Sequence, residues 1–141
     1  MKNTVISSAA KFIIFLGRTF AGRTHDYRML KTEFPPEQPW FAELEVLLDL
    51  GYLGIDKDYQ GDKLSLPHTK PRKSKARPDP QLSDEQKQDN RALAKLRVYV
   101  EHAIGGMKRY RILVDPYRNH KPTFEDAVAA ISAGLWNFLL Y

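Results

Sequence analysis

Asn90–Leu113, NRALAKLRVYVEHAIGGMKRYRIL, reads as one long helix with a single acid, Glu101, near its middle. Arg91, Lys95 and Arg97 precede that acid, and Lys108, Arg109 and Arg111 follow it. Leu93, Leu96, Val100, Ala103 or Ile104, and Met107 recur at the helical period and form an apolar stripe, with Glu101 at its margin. Upstream, Ser83 and Gln86 have capping-box spacing and start the helix. Gly105-Gly106 costs roughly 1 kcal/mol per glycine relative to alanine, which implies a bend or a close approach to another backbone. Arg111–Leu113 leaves the helix, and Pro116 ends it. A lone carboxylate among cations has two explanations. It neutralises neighbouring charge, as in an ion pair with Arg97 worth a few tenths of a kcal/mol, or it holds a metal beside a polyanion.

Immediately before this helix, residues 67–80 (PHTKPRKSKARPDP) form an irregular segment. Its prolines at 67, 71, 78 and 80 exclude a helix or a central strand. Lys70, Arg72, Lys73, Lys75 and Arg77 make it strongly basic, as either a solvated loop or a flexible arm along a phosphate backbone. Further back, Glu45–Leu50 reads as a central strand ended by Gly51, with Asp49 at its carboxyl end. The carboxyl ends of strands in open α/β sheets are where ligands gather. Lys63–Leu66 is a further short strand.

The amino end, KNTVISSAAKFIIFLG, reads as two strands over Thr4–Ala9 and Lys11–Leu16, the second buried on both faces. Thr24 caps a helix over HDYRMLKTEF that Pro35-Pro36 stops, and Pro39–Leu44 holds another short helix. After Pro122, Thr123 and Asp126 form a capping box for a last helix. Its stripe of Phe124, Val128, Ile131, Leu135 and Phe138 or Leu139 packs on the sheet, and its apolar end docks. Strands and helices in this order give the α/β class.

At 141 residues, 43% hydrophobic and 28% charged, the chain has the composition of one soluble globular domain. With no cysteine it has no disulfide and no thiolate zinc site, which suits a reducing compartment. No segment has the roughly 20 apolar residues that span a bilayer. Lys11 interrupts the only apolar run resembling an export signal. The net charge is +5, and its distribution is uneven: Lys31 to Asp62 holds eight acids against two lysines, while most of the excess cations lie between His68 and Arg118. That separation suits either a solvated basic surface or an electropositive face that meets phosphate.

Asp49 and Glu101 are the acids least suited to packing. Converging carboxylates beside a basic surface commonly hold Mg²⁺ or Mn²⁺ for phosphoryl transfer, because hard divalent ions take oxygen ligands. Two carboxylates are fewer than such a centre uses, so a third acid is expected. Spacing alone favours the local roles, a strand-end turn for Asp49 and the Arg97 pair for Glu101.

THDYRML, LEVLLDLGYLGI, NRALAKLRVYVEHAIGGMKRYRIL and AGLWNFLL, in that order, resemble the catalytic domain of DDE transposases of the IS5-like group, related to the Harbinger transposases. The resemblance spans nearly the whole chain. It implies a ribonuclease H-like mixed sheet flanked by helices, and metal-dependent DNA cleavage and strand transfer with Mg²⁺ or Mn²⁺. The second catalytic Asp maps onto Asp49 and the catalytic Glu onto Glu101. A His-Asp pair maps onto His25 and Asp26, in a structural role or next to the site. The first catalytic Asp lies upstream of the hairpin in the family, and no acid precedes Asp26 here, so residues 1–141 are expected to be a truncated catalytic domain lacking its first strand.

The implied partners are DNA (transposon ends and target), the missing amino-terminal part of the same transposase and a second copy of the chain, with no membrane. The implied location is cytoplasmic, on the nucleoid when DNA-bound. Lys70, Arg72, Lys73, Lys75, Arg97, Lys108, Arg109 and Arg111 are the expected DNA contacts. The alternative is a non-catalytic nucleic-acid-binding module on the same fold.

Overall fold

The computed structural model describes every residue except Tyr117 and His120, and the backbone but not the side chain of Asp62. Its elements run β1 (Val5–Ser7), β2 (Ile13–Leu16), α1 (Asp26–Glu33), β3 (Phe41–Leu47), α2 (Ile55–Asp58), β4 (Gly61–Ser65), α3 (Asp84–Lys108) and α4 (Phe124–Phe138). Short 3-10 turns cover Leu50–Tyr52 and Arg111–Leu113. The α/β class holds, and the described strands form two two-stranded sheets, β1-β2 and β3-β4. The chain divides into two compact units, Met1–Glu33 with Arg97–Tyr141, and Phe34–Leu96.

In the first unit, β1 and β2 form an antiparallel hairpin whose register slips between Ile6 and Ser7. The turn closes through Ser8 N–H to Phe12 O and Lys11 N–H to Ser8 O, both 2.9 Å, with Lys11 in the left-handed region at φ 67°. Ile13 is buried but Ile14 is 66% exposed, so β2 has one covered face rather than the two expected from its apolar run. The extra residue at Ile14 opposes no partner on β1, which turns that side chain outward.

Helix α1 starts at Asp26, so Thr24 is not its cap. His25 occupies that position, its Nδ1 accepting from Tyr27 N–H at 3.3 Å and its carbonyl from Met29 N–H at 3.1 Å. Met29 and Leu30 are its buried face.

Helix α4 packs on β2, with Ala133 against Ile13, and its buried residues are Val128, Ala129, Ser132 and Ala133. The larger apolar residues expected to face the sheet do not: Ile131, Leu135 and Phe138 are exposed. Small side chains win because three polar anchors draw α4 close. Asn137 brackets the Ile13 backbone, accepting from its N–H at 2.8 Å and donating to its carbonyl at 2.9 Å. Trp136 Nε1 donates to Lys11 O at 2.9 Å, and Thr19 N–H donates to Asp126 at 2.6 Å.

Asp126 is therefore no part of a capping box. Thr123, at φ 61°, makes no side-chain cap, since its backbone lacks the extended geometry an N-cap uses. Leu139–Tyr141 are exposed, so the end of the chain is less covered than its composition suggests. Ile13, Ala103, Met107 and Ala133 form the core of this unit, flanked by Val5, Leu16, Leu113 and Trp136.

In the second unit, residues 41–44 are strand rather than helix. Trp40 Nε1 donates to Pro35 O at 2.8 Å and stacks edge-on against Phe34, fixing the turn that launches β3. β3 runs parallel to β4, pairing Glu45 with Lys63, Val46 with Leu64 and Leu47 with Ser65. Glu45 and Lys63 also form a 2.7 Å ion pair. Phe34, Phe41 and Tyr59 cluster as tilted rings, and Ile55 is wholly buried.

The capping box of α3 is as expected: Gln86 N–H donates to Ser83 Oγ and Ser83 N–H to the Gln86 side chain, both 3.1 Å. No helix among the described residues is long and apolar enough to cross a membrane.

Candidate active site and DNA-facing surface

Asp49 lies just past the carboxyl end of β3, after Leu48 N–H has made a last 3.0 Å ladder bond to Ser65 O. It caps the Leu50–Tyr52 turn: its Oδ1 accepts from Leu50 N–H at 2.7 Å and its carbonyl from Tyr52 N–H at 3.0 Å. The strand-end turn role is thus realised, on a residue that stays exposed to solvent.

Glu101 sits on α3 in the other unit. At about 100° per residue, it lies opposite the buried face of Ala103, Gly106 and Met107, not at the margin of the stripe. The same phase puts Arg97 and Lys108 within about 40° of it. Glu101 is exposed, and its side chain has no ion pair or hydrogen bond among the described residues. The expected Arg97–Glu101 pair is therefore not formed.

The basic residues expected on this surface have different roles. Arg109 stacks on Trp136 with its guanidinium carbon 5.9 Å from the ring centroid, and Arg111 meets Asp115 at 3.4 Å. Lys108 is exposed. Lys70, Arg72, Lys73 and Lys75 lie in the second unit on the Pro-rich segment, all exposed.

His25 caps α1, and Asp26 holds Lys2 at 2.9 Å, which gives both local structural work. Sequence reading missed Asn90, Asn137 and Glu33. Asn137 had a visible signal, a lone amide inside the apolar run LWNFLL. Glu33 buries both carboxylate oxygens without a partner among the described residues, against Gly17, where any side chain would collide with it.

The oxygen donors of Asp49 and Glu101 suit a hard divalent cation. Among the described residues no group of three or more His, Cys, Asp or Glu is placed to hold a metal, so the donor chemistry fits and a complete ligand set is not present.

The model of the DDE superfamily endonuclease family matches residues 1–137. The chain belongs to that family. It is also similar to the probable transposase for insertion sequence element IS702 of Microchaete diplosiphon, at 38% identity over 138 residues, which cover 96% of this chain and 45% of that protein. The chain thus spans less than half the length of that relative. No solved structure matches it.

Proposed function

We propose that this chain carries part of a transposase catalytic domain, of ribonuclease H-like architecture, that cuts and joins DNA strands with Mg²⁺ or Mn²⁺. The observation that carries the reading is the family match over residues 1–137. Asp49 and Glu101 are two of the carboxylates that would hold the metal. Bound there, the ion would supply activation of an attacking oxygen and stabilisation of a leaving one.

The chain's own residues do the rest. Asp49 is held at the carboxyl end of β3 by its bond to Leu50 N–H. Glu101 is presented to solvent from a rigid helix, with Arg97 and Lys108 on the same side to attract the phosphates. Transposon ends and target DNA are the substrates in this reading. The remaining part of a longer transposase, corresponding to the portion of the relative outside the match, completes the site.

The test is nicking of supercoiled plasmid in Mg²⁺ by the chain together with that complementary part. Asp49→Asn or Glu101→Gln should each abolish nicking while leaving DNA binding intact. Nicking indifferent to both substitutions would sink the site assignment. Binding without nicking under any complementation would favour a non-catalytic DNA-binding module.

A further inference from the structure

The excess of cations over acids in the second unit is confined to one place. Residues 34–66 carry seven acids against two lysines, and residues 81–96 carry three of each, whereas residues 67–80 carry five cations and one acid. That single acid, Asp79, accepts from the Gln81 side chain at 3.0 Å. Lys70, Arg72, Lys73, Lys75 and Arg77 are all exposed, and none has an ion pair or a side-chain hydrogen bond among the described residues. Acids are plentiful elsewhere in the unit, and elsewhere cations use them, as Lys63 uses Glu45 and Lys87 uses Asp84.

The segment is also pinned, unlike a solvated linker. Asn90, on α3, grips the backbone of His68 from both sides: its Oδ1 accepts from His68 N–H at 2.8 Å and its Nδ2 donates to His68 O at 3.0 Å. His68 Nε2 meets Asp89 at 3.2 Å. At the other end Pro80 is buried. Between these anchors Ser74 and Arg77 exchange two 3.1 Å backbone bonds, and Ser74 Oγ accepts a third from Arg77 N–H at 3.2 Å. The chain therefore doubles back at a tight tip, with Arg72 and Lys73 leading into it and Lys75 and Arg77 within it.

We propose that residues 67–80 form a pinned cationic hairpin that lies along the phosphate backbone of duplex DNA, with Asn90 as the residue that positions it. The proposal rests on the DNA reading above and deepens it, by naming the contact surface and how it is held. Ordering such a segment before binding lowers the entropy lost on binding. Fixed cations at a turn meet phosphates without reading bases, so the contact is independent of sequence.

The test is fluorescence anisotropy of the full 141-residue chain on a labelled duplex, read as the slope of log affinity against log salt. Each phosphate neutralised on B-DNA contributes about 0.9 to that slope. Replacing all five cations by Gln should make the slope shallower by about 3 to 4.5, if three to five of them reach phosphate. Exchanging each Lys for Arg and each Arg for Lys should leave the slope unchanged, because charge and not side-chain shape makes the contact. Asn90→Ala keeps the charge, so it should keep the slope and weaken binding several-fold.

A neutralised hairpin whose slope changes by less than one would overturn the proposal, as would tighter binding to phosphatidylglycerol vesicles than to DNA at equal salt. Absence of any DNA binding by the parent chain would sink the transposase reading together with the hairpin. Binding with an unchanged slope in the neutralised variant would sink the hairpin alone.

Discussion

Two adjacent glycines on α3 should respond to the same substitution with opposite sign. At Gly105 an added methyl meets nothing within 4 Å. Gly105→Ala therefore gains helix propensity, and stability should rise by about 0.5–1 kcal/mol. At Gly106 the methyl falls on the six-membered ring of Trp136. That indole cannot easily retreat, because its Nε1 is bonded to Lys11 O at 2.9 Å and Arg109 stacks on it. Overpacking of this kind costs about 1–3 kcal/mol, so the propensity gain is outweighed and Gly106→Ala should destabilise by roughly 1–2 kcal/mol. At about 3 °C per kcal/mol for a chain of this size, the two variants should straddle the parent in thermal melts by several degrees. Urea unfolding should give the same order, with the change in midpoint and not in slope. If Gly106→Ala stabilises as much as Gly105→Ala, α3 and α4 do not pack as described.

Other outcomes follow from single contacts. Asn137→Ala leaves the Ile13 N–H and carbonyl without their partner and should cost about 2–4 kcal/mol, read by urea unfolding, whereas Asn137→Leu should not rescue it. The hydroxyl of Tyr59 donates to Phe34 O at 2.5 Å, and its pKa is pushed up to about 12 by burial and by the nearby Asp58 and Glu37. A raised folded-state value means that its contribution is whole below pH 10 and is lost as pH climbs from 10 towards 12. Tyr59→Phe should be less stable by about 1 kcal/mol at neutral pH and lose less stability across that alkaline window, as followed by circular dichroism.

What was legible in the sequence was local. The capping box at Ser83 and Gln86 and the Ile/Phe-rich hairpin each depend on residues a few positions apart, and both form. The face of α4 was not legible, because periodicity ranks residues by hydrophobicity while close packing on β2 selects for size. Ala133 lets the helix approach Ile13, and Asn137 and Trp136 reach backbone more than 120 residues away in sequence. Pairing with β4 fixes the strand at Phe41, which no local spacing encodes.

For the candidate site, the strand-end position of Asp49 could be read directly. The outward orientation of Glu101 could not, because Leu93, Leu96 and Val100 drew the stripe towards a side of α3 that is only partly covered, and Leu96 is in fact exposed. The His68–Asn90 clamp joins residues 22 positions apart and was equally invisible.

The central proposal is that Asp49 and Glu101 each serve as a ligand for divalent metal. Iron-directed backbone cleavage tests it most directly: Fe²⁺ substituted for Mg²⁺ or Mn²⁺, with ascorbate and peroxide, cuts the chain where it approaches the metal. Cuts are expected beside both Asp49 and Glu101, suppressed by excess Mn²⁺, with the cut beside Glu101 lost in Glu101→Gln and the cut beside Asp49 lost in Asp49→Asn. Cuts at one acid only, or a cut beside either acid that persists when that acid is substituted, would contradict it.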